Sequence, residues 1–166
     1  MTIDRVPKGS RIFLDSTIFI YHFTGTSAAC RHLLERAESG DIKAVTSVVV
    51  VAEVAHRLMT IEAVTAGAVA GKDVVKKLRG RPEVVRALPI YSEQVERIPL
   101  MGVDVRPLDL GTLIQSADVR RQYGLLVNDS LVVAAAREAR ADGIASADAD
   151  FRRVTGLKVY WPDDIG

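Results

Sequence analysis

Short apolar runs alternate with amphipathic stretches along the chain, and that alternation limits the folds open to it. Arg11–Asp15 (RIFLD), Ile42–Thr46, Val103–Asp109 (VDVRPLD), Gly143–Ala147 and Leu157–Trp161 each read as a short strand. Between them, Ser16 reads as an N-cap for Thr17–Phe23. Thr26–Ser39 places Ala29, Leu33, Leu34 and Ala37 on one stripe and ends at Gly40. Ser47 predicts the N-cap of a helix through about Met59, Gly111–Tyr123 a further helix, and Asn128 the cap of Asp129–Ala141. Residues 62–100 read as two or three helices interrupted at Gly71, Gly80–Pro82 and Pro89. Strands alternating with helices give a mostly parallel sheet with helices on both faces. The expected class is therefore α/β, built on a short, mostly parallel, five-stranded sheet.

At 166 residues the chain fits one domain, spanning 1–166, with 62–100 as a helical insertion. Apolar residues make up 48% and charged residues 26%, which excludes disorder, collagen-like repeats and a disulfide scaffold. No apolar run approaches the ~20 residues of a membrane span. The opening MTIDRVPKGSR has no secretory stretch, and the single cysteine, Cys30, fits a reducing compartment, so a cytoplasmic location is expected. Net charge is +1 but unevenly spread: residues 72–86 carry six basic and two acidic residues, residues 128–166 seven acidic and five basic.

Acidic residues recur where such a sheet would gather them. Asp15 ends the first strand, Glu53 lies in the first two turns after the second, Asp129 opens a helix, and Asp148 and Asp150 follow the fourth strand. In parallel sheets, sites form at the carboxyl ends of strands. Taken singly, each acid has a bland reading. Asp15 could be a turn former, Asp129 a complement to the helix dipole, and Glu53 an i,i+4 partner of Arg57. Asp148 and Asp150 could pair with Arg152 and Arg153. Together, four carboxylates at one sheet edge repel one another unless a cation intervenes, and dense oxygen ligands suit Mg²⁺ or Mn²⁺.

Four stretches carry a resemblance to a known family. FLDSTIFIYHF resembles the opening motif of PIN-domain nucleases, TSVVVVAEVAHRL their second, GLLVNDSLVVAAA their third and GIASADADFRRVTGLKVY their fourth. The resemblance runs from about Ile12 to Trp161 and is closest to VapC-type toxins of toxin–antitoxin pairs. It implies a three-layer α/β/α sandwich and a metal-dependent endoribonuclease. By position, Asp15, Glu53, Asp129 and Asp148 match the acidic quartet, with Asp150 an extra acid. Ser16, Asn128 and Ser146 match polar positions that orient the carboxylates. Mg²⁺ or Mn²⁺ is the implied cofactor, RNA the substrate, and a small antitoxin the partner, with homodimerisation expected. Ser130 stands where Ala is common.

Other classes fit less well. A haloacid-dehalogenase phosphatase needs an acid where Thr17 stands, zinc chemistry lacks ligands, and no Gly-rich phosphate loop is present. The alternatives are a PIN-type RNA-processing nuclease outside a toxin system and a non-catalytic RNA- or protein-binding PIN scaffold. An acidic pocket alone repels RNA, so Lys72, Lys76, Lys77, Arg79, Arg81 and Arg86 are expected to form the phosphate track. Lys72, Lys76 and Arg79 share a face if the helix is continuous. Arg120, Arg121, Arg152 and Arg153 are the second choice.

Overall fold

The computed structural model describes residues 1–165, so Gly166, the last residue of the expected domain, lies outside the described residues. Five strands form one sheet: β1 (Arg11–Leu14), β2 (Lys43–Ser47), β3 (Val103–Arg106), β4 (Gly143–Ala145) and β5 (Val159–Tyr160). Their order is β3-β2-β1-β4-β5, and every pairing is parallel. Helices cover both sides, as expected of the α/β sandwich. In β1, Ile12, Phe13 and Leu14 are all at most 1% exposed. A central parallel strand is covered on both faces, which is why its sequence runs apolar without alternating.

The order fixes where a site can form. From β1 the chain moves outward through β2 and β3, then returns to place β4 on the other side of β1. Loops leaving β1 and β4 therefore diverge, and their carboxyl ends frame a crevice. Residues 15 and 146–148 emerge at that switch point.

The helices are α1 (Ser16–Phe23), α2 (Ala28–Glu38), α3 (Val48–Thr65), α4 (Val74–Arg79), α5 (Pro82–Arg86), α6 (Ile90–Arg97), α7 (Leu110–Tyr123) and α8 (Val127–Glu138). Ser47 caps α3 as expected, its hydroxyl accepting the Val50 N–H at 3.4 Å. Two expected caps are corrected. The cap of α1 is Asp15, not Ser16, because its side chain accepts the Thr17 N–H. Asn128 lies inside α8, whose cap, Leu126, offers no side-chain bond. Helix α3 continues past Met59 to Thr65, because the first residue able to turn the chain is Gly67 at φ +69°.

Residues 62–100 hold the end of α3, then α4, α5 and α6. Ala63, Val69, Leu78 and Leu88 form a small core of their own beneath them, and Tyr91 packs against both this core and the main one. The N-terminus of α6 follows Pro89, which cannot cap it with a side chain. Glu62 of α3 does so from a distance, accepting the Ile90 N–H at 3.1 Å and the Tyr91 N–H at 2.7 Å. No helix among the described residues is long and apolar enough to cross a membrane.

Candidate active site

Asp15 leaves β1 only 6% exposed, at the head of α1. Its Oδ2 accepts the Ser146 hydroxyl at 2.7 Å, the Thr17 hydroxyl at 2.8 Å and the Thr17 N–H at 3.4 Å. Among the described residues no hydrogen bond reaches Oδ1. One oxygen is thus pinned and the other is left without a hydrogen-bond partner among the described residues. Ser146, fully buried after β4, also accepts the Asp148 N–H at 2.9 Å. Thr17 spans the same gap, its oxygen accepting the Ala147 N–H at 3.0 Å. Two hydroxyls therefore lace the β1 and β4 loops together.

Asp148 then caps the short 3-10 turn Ala149–Arg153, accepting the Asp150 N–H at 2.8 Å. Asp150 pairs outward with Arg153 at 2.8 Å. The other two acids come from helices, Glu53 from α3 and Asp129 from the first turn of α8. Their titration records their company. Burial pushes the Asp129 carboxyl up to about 6, with Asp148, Asp15, Asp150 and Glu53 each adding to the rise. Glu53 is raised by burial first and then by Asp15, with the Ser16 hydroxyl and the Arg57 guanidinium working against it. Each group that perturbs Asp129 is either lost solvent or another anion. An unneutralised cluster of this kind calls for a cation.

The structure thus brings together Asp15, Glu53, Asp129, Asp148 and Asp150, with Ser16 and Ser146 buried beside them. It does not tie in Asn128, which is exposed and whose side chain makes no hydrogen bond among the described residues. Thr17 is a functional residue that the sequence reading does not single out. The available signal was a hydroxyl two residues after a strand-end Asp, the spacing of a local cap. As placed, no three His, Cys, Asp or Glu side chains among the described residues close into a metal-holding group.

The basic stretch divides. Lys72 precedes α4, and Asp73 adopts a left-handed φ of 60°, so Lys72 does not share a helical face with Lys76 and Arg79. The Lys77 ammonium donates to the Ala70 carbonyl and Arg81 to the Ala68 carbonyl at 2.8 Å, so both hold their own loop. Arg86 ends α5. Lys76 and Arg79, three apart, are exposed on α4.

A parallel five-stranded sheet in this order, with acids gathered at its switch point, defines a class. The chain belongs to the PIN-domain family, whose model matches residues 12–157. Within it, the chain is 30% identical over 152 residues to Ribonuclease VapC2 of Methanocaldococcus jannaschii, covering 90% of this chain and 93% of that protein. The fold also matches VapBC2 of Rickettsia felis, bound to a DNA fragment from its promoter, at TM-score 0.60 and 15% identity over 92% of this chain and 99% of that one. Mycobacterium tuberculosis VapC20, a toxin that cleaves the sarcin–ricin loop, matches at TM-score 0.59 and 16% identity, over 89% of this chain and 96% of that one. A toxin–antitoxin complex from Klebsiella pneumoniae matches at 0.52 and 19%, over 89% and 95%.

Proposed function

We propose that this protein is a divalent-metal-dependent endoribonuclease, acting in the cytoplasm as the toxin of a type II toxin–antitoxin pair. The observation that carries the reading is the convergence of Asp15, Glu53, Asp129 and Asp148, from four separate segments, with no cation among the groups that perturb Asp129. The whole of 1–166 is taken as one PIN unit, with 62–100 its helical elaboration.

The donor set is entirely carboxylate oxygen, which suits Mg²⁺ or Mn²⁺ over softer ions. Asp15 and Asp129 are the principal ligands, and Asp148 and Glu53 hold the ion or its waters. When bound, the cation acidifies a water and offsets charge on the phosphate. The residues of the chain do the rest. Ser146 and Thr17 fix the Asp15 carboxylate, Ser16 steadies Glu53, and Asp150 flanks the acids, while Asn128 stays exposed one residue before Asp129 on α8. Hydrolysis here leaves a 5′-phosphate and a 3′-hydroxyl.

The test is direct. Purified protein should cleave RNA with Mg²⁺ or Mn²⁺ and stop in EDTA, while Asp15→Asn and Asp129→Asn each abolish cleavage and keep the fold. Full metal-dependent cleavage by either variant would remove that residue from the site.

The toxin assignment rests on the VapC relative and on the pocket's charge. A partner that inserts Arg or Lys between the carboxylates would neutralise them and block the ion. Co-expression with the adjacent small reading frame should yield a complex. Light scattering should show the free chain as a homodimer.

A further inference from the structure

Between α3 and α4 lies an open groove of about 760 Å³, within the roughly 300–1,000 Å³ of ligand clefts. Three cations line it: Arg57 from α3 faces Lys76 and Arg79 from α4, with His56 beside Arg57 and Asp73 the one acid among the lining residues. His56 and all three cations are exposed. The groove opens into a smaller recess of about 250 Å³, where Met59, Val75, Leu78 and Val85 supply an apolar surface. His56, Thr60, Val75 and Arg79 line both spaces. A solvated charged face has no apolar recess beneath it.

The groove runs along α3 toward the acids: Arg57, which lines it, stands one helical turn beyond Glu53 on the same helix. An RNA strand with its scissile phosphate at the carboxylates therefore meets Arg57 as it leaves. The four second-choice arginines offer no comparable path. Arg120 is held by the Ser116 and Ser130 hydroxyls, Arg121 pairs with Asp118, Arg152 lies over the Trp161 ring, and Arg153 pairs with Asp150.

We propose that the α3/α4 groove is a nucleotide subsite for the RNA strand beyond the scissile bond. Arg57, Lys76 and Arg79 hold its phosphates, and one unstacked base enters the apolar recess, with His56 and Thr60 at the rim. The proposal rests on the ribonuclease reading and adds to it a substrate path and a place for base selection. Single-stranded RNA is recognised through splayed bases of this kind, whereas phosphate contacts give affinity without sequence choice.

The experiment measures binding of a labelled 12-nucleotide single-stranded RNA to the full chain in EDTA, across a salt series. Each phosphate contact to a single strand contributes about 0.7 to the log–log salt slope, so Arg57→Gln/Lys76→Gln/Arg79→Gln should flatten it by about 2. Lys77→Gln/Arg81→Gln should leave the slope as it is. Val75→Trp, which fills the recess from an exposed position, should weaken binding at least fivefold without changing the slope. If the triple variant does not fold, Lys76→Gln/Arg79→Gln should still flatten the slope by about 1.4. An unchanged slope in the cation variants overturns the phosphate track, and unchanged affinity in Val75→Trp overturns the base recess. An oligoglutamate peptide that competes as well as RNA of equal charge gives the groove to a protein partner and overturns the proposal. A wild type that fails to bind in EDTA yet cleaves RNA with Mg²⁺ overturns the groove alone. Binding without cleavage overturns the nuclease alone.

Discussion

Ser146 and Asp15, 131 residues apart in sequence, meet in a 2.7 Å hydrogen bond at the boundary between β4 and β1. The hydroxyl donates to Oδ2 and accepts the Asp148 N–H, so one buried serine sets the position of two acids. Removing it as Ser146→Ala leaves a carboxylate short of a donor and an amide short of an acceptor. The expected loss is about 1–3 kcal/mol of stability. The metal concentration for half-maximal RNA cleavage should rise roughly 10–100-fold, as for other groups that orient metal-binding carboxylates. Denaturant melts and Mg²⁺ titrations of cleavage measure the two effects separately.

Thr17 closes the same gap from the α1 side. Thr17→Val keeps the branched shape but deletes the hydroxyl that donates to Asp15 Oδ2 and receives the Ala147 N–H. Because Thr17 is half-buried, about 1 kcal/mol is expected, near the lower end of the range for a stranded polar group. Thr17→Ser retains the hydroxyl and should recover most of the metal affinity. A valine variant with unaltered metal dependence would make Thr17 a packing residue only.

The acid cluster also makes the metal-free protein sensitive to pH. Folding raises the Asp129 carboxyl from its ordinary 3.8 to about 6, so between those values the folded chain binds more protons than the unfolded one. Stability from this group is full below pH 3.8 and is lost as pH rises through 6. Glu53, also raised, acts in the same direction. Asp41, Asp109 and Asp164 are lowered by their hydrogen bonds and act oppositely, losing stability as pH falls. The comparison that isolates Asp129 is therefore the wild type against Asp129→Asn in EDTA. The variant's advantage in Tm should grow between about pH 4 and 6 and level off above that, and Mg²⁺ should cancel it by supplying the missing countercharge.

How far the sequence foretold this arrangement depended on the range of each interaction. The strands were legible because burial on both faces of a parallel sheet writes an uninterrupted apolar run, as in Ile12–Leu14. Asp15, Glu53, Asp129 and Asp148 could be picked out because each sits at a fixed offset from such a run. Thr17 was legible only in part: its bond to Asp15 has a local signature, but its bond to Ala147, 130 residues away, has none. Nor could charge counting separate Lys76 and Arg79 from Lys77 and Arg81. The difference lies in the Ala70 and Ala68 carbonyls that bind the latter pair, and in the α3 wall that faces the former. The cap of α6 was hidden for the same reason, because Glu62 lies 28 residues before Ile90.

That cap gives the last prediction. The N–H groups of Ile90 and Tyr91 open a helix whose own cap residue, Pro89, has no side-chain acceptor, and both are satisfied by the Glu62 carboxylate. Bonds from backbone N–H groups to a charged acceptor at a helix start are worth more than neutral ones. Glu62→Ala should cost roughly 1–2 kcal/mol, in the range of a lost N-cap. The damage should be local. Tyr91 packs on both the main core and the small core of Ala63, Val69, Leu78 and Leu88, so loosening α6 loosens the roof over α3 and α4 before the sheet. Hydrogen exchange should accelerate first at the amides of residues 90–97 and then across α4 and α5, with β1 and β2 amides still protected. Glu62→Gln, which keeps an acceptor oxygen without the charge, should recover part of that protection. Uniform acceleration across the sheet as well would mean that the helical segment and the sheet unfold as one unit, and that Glu62 caps nothing separable.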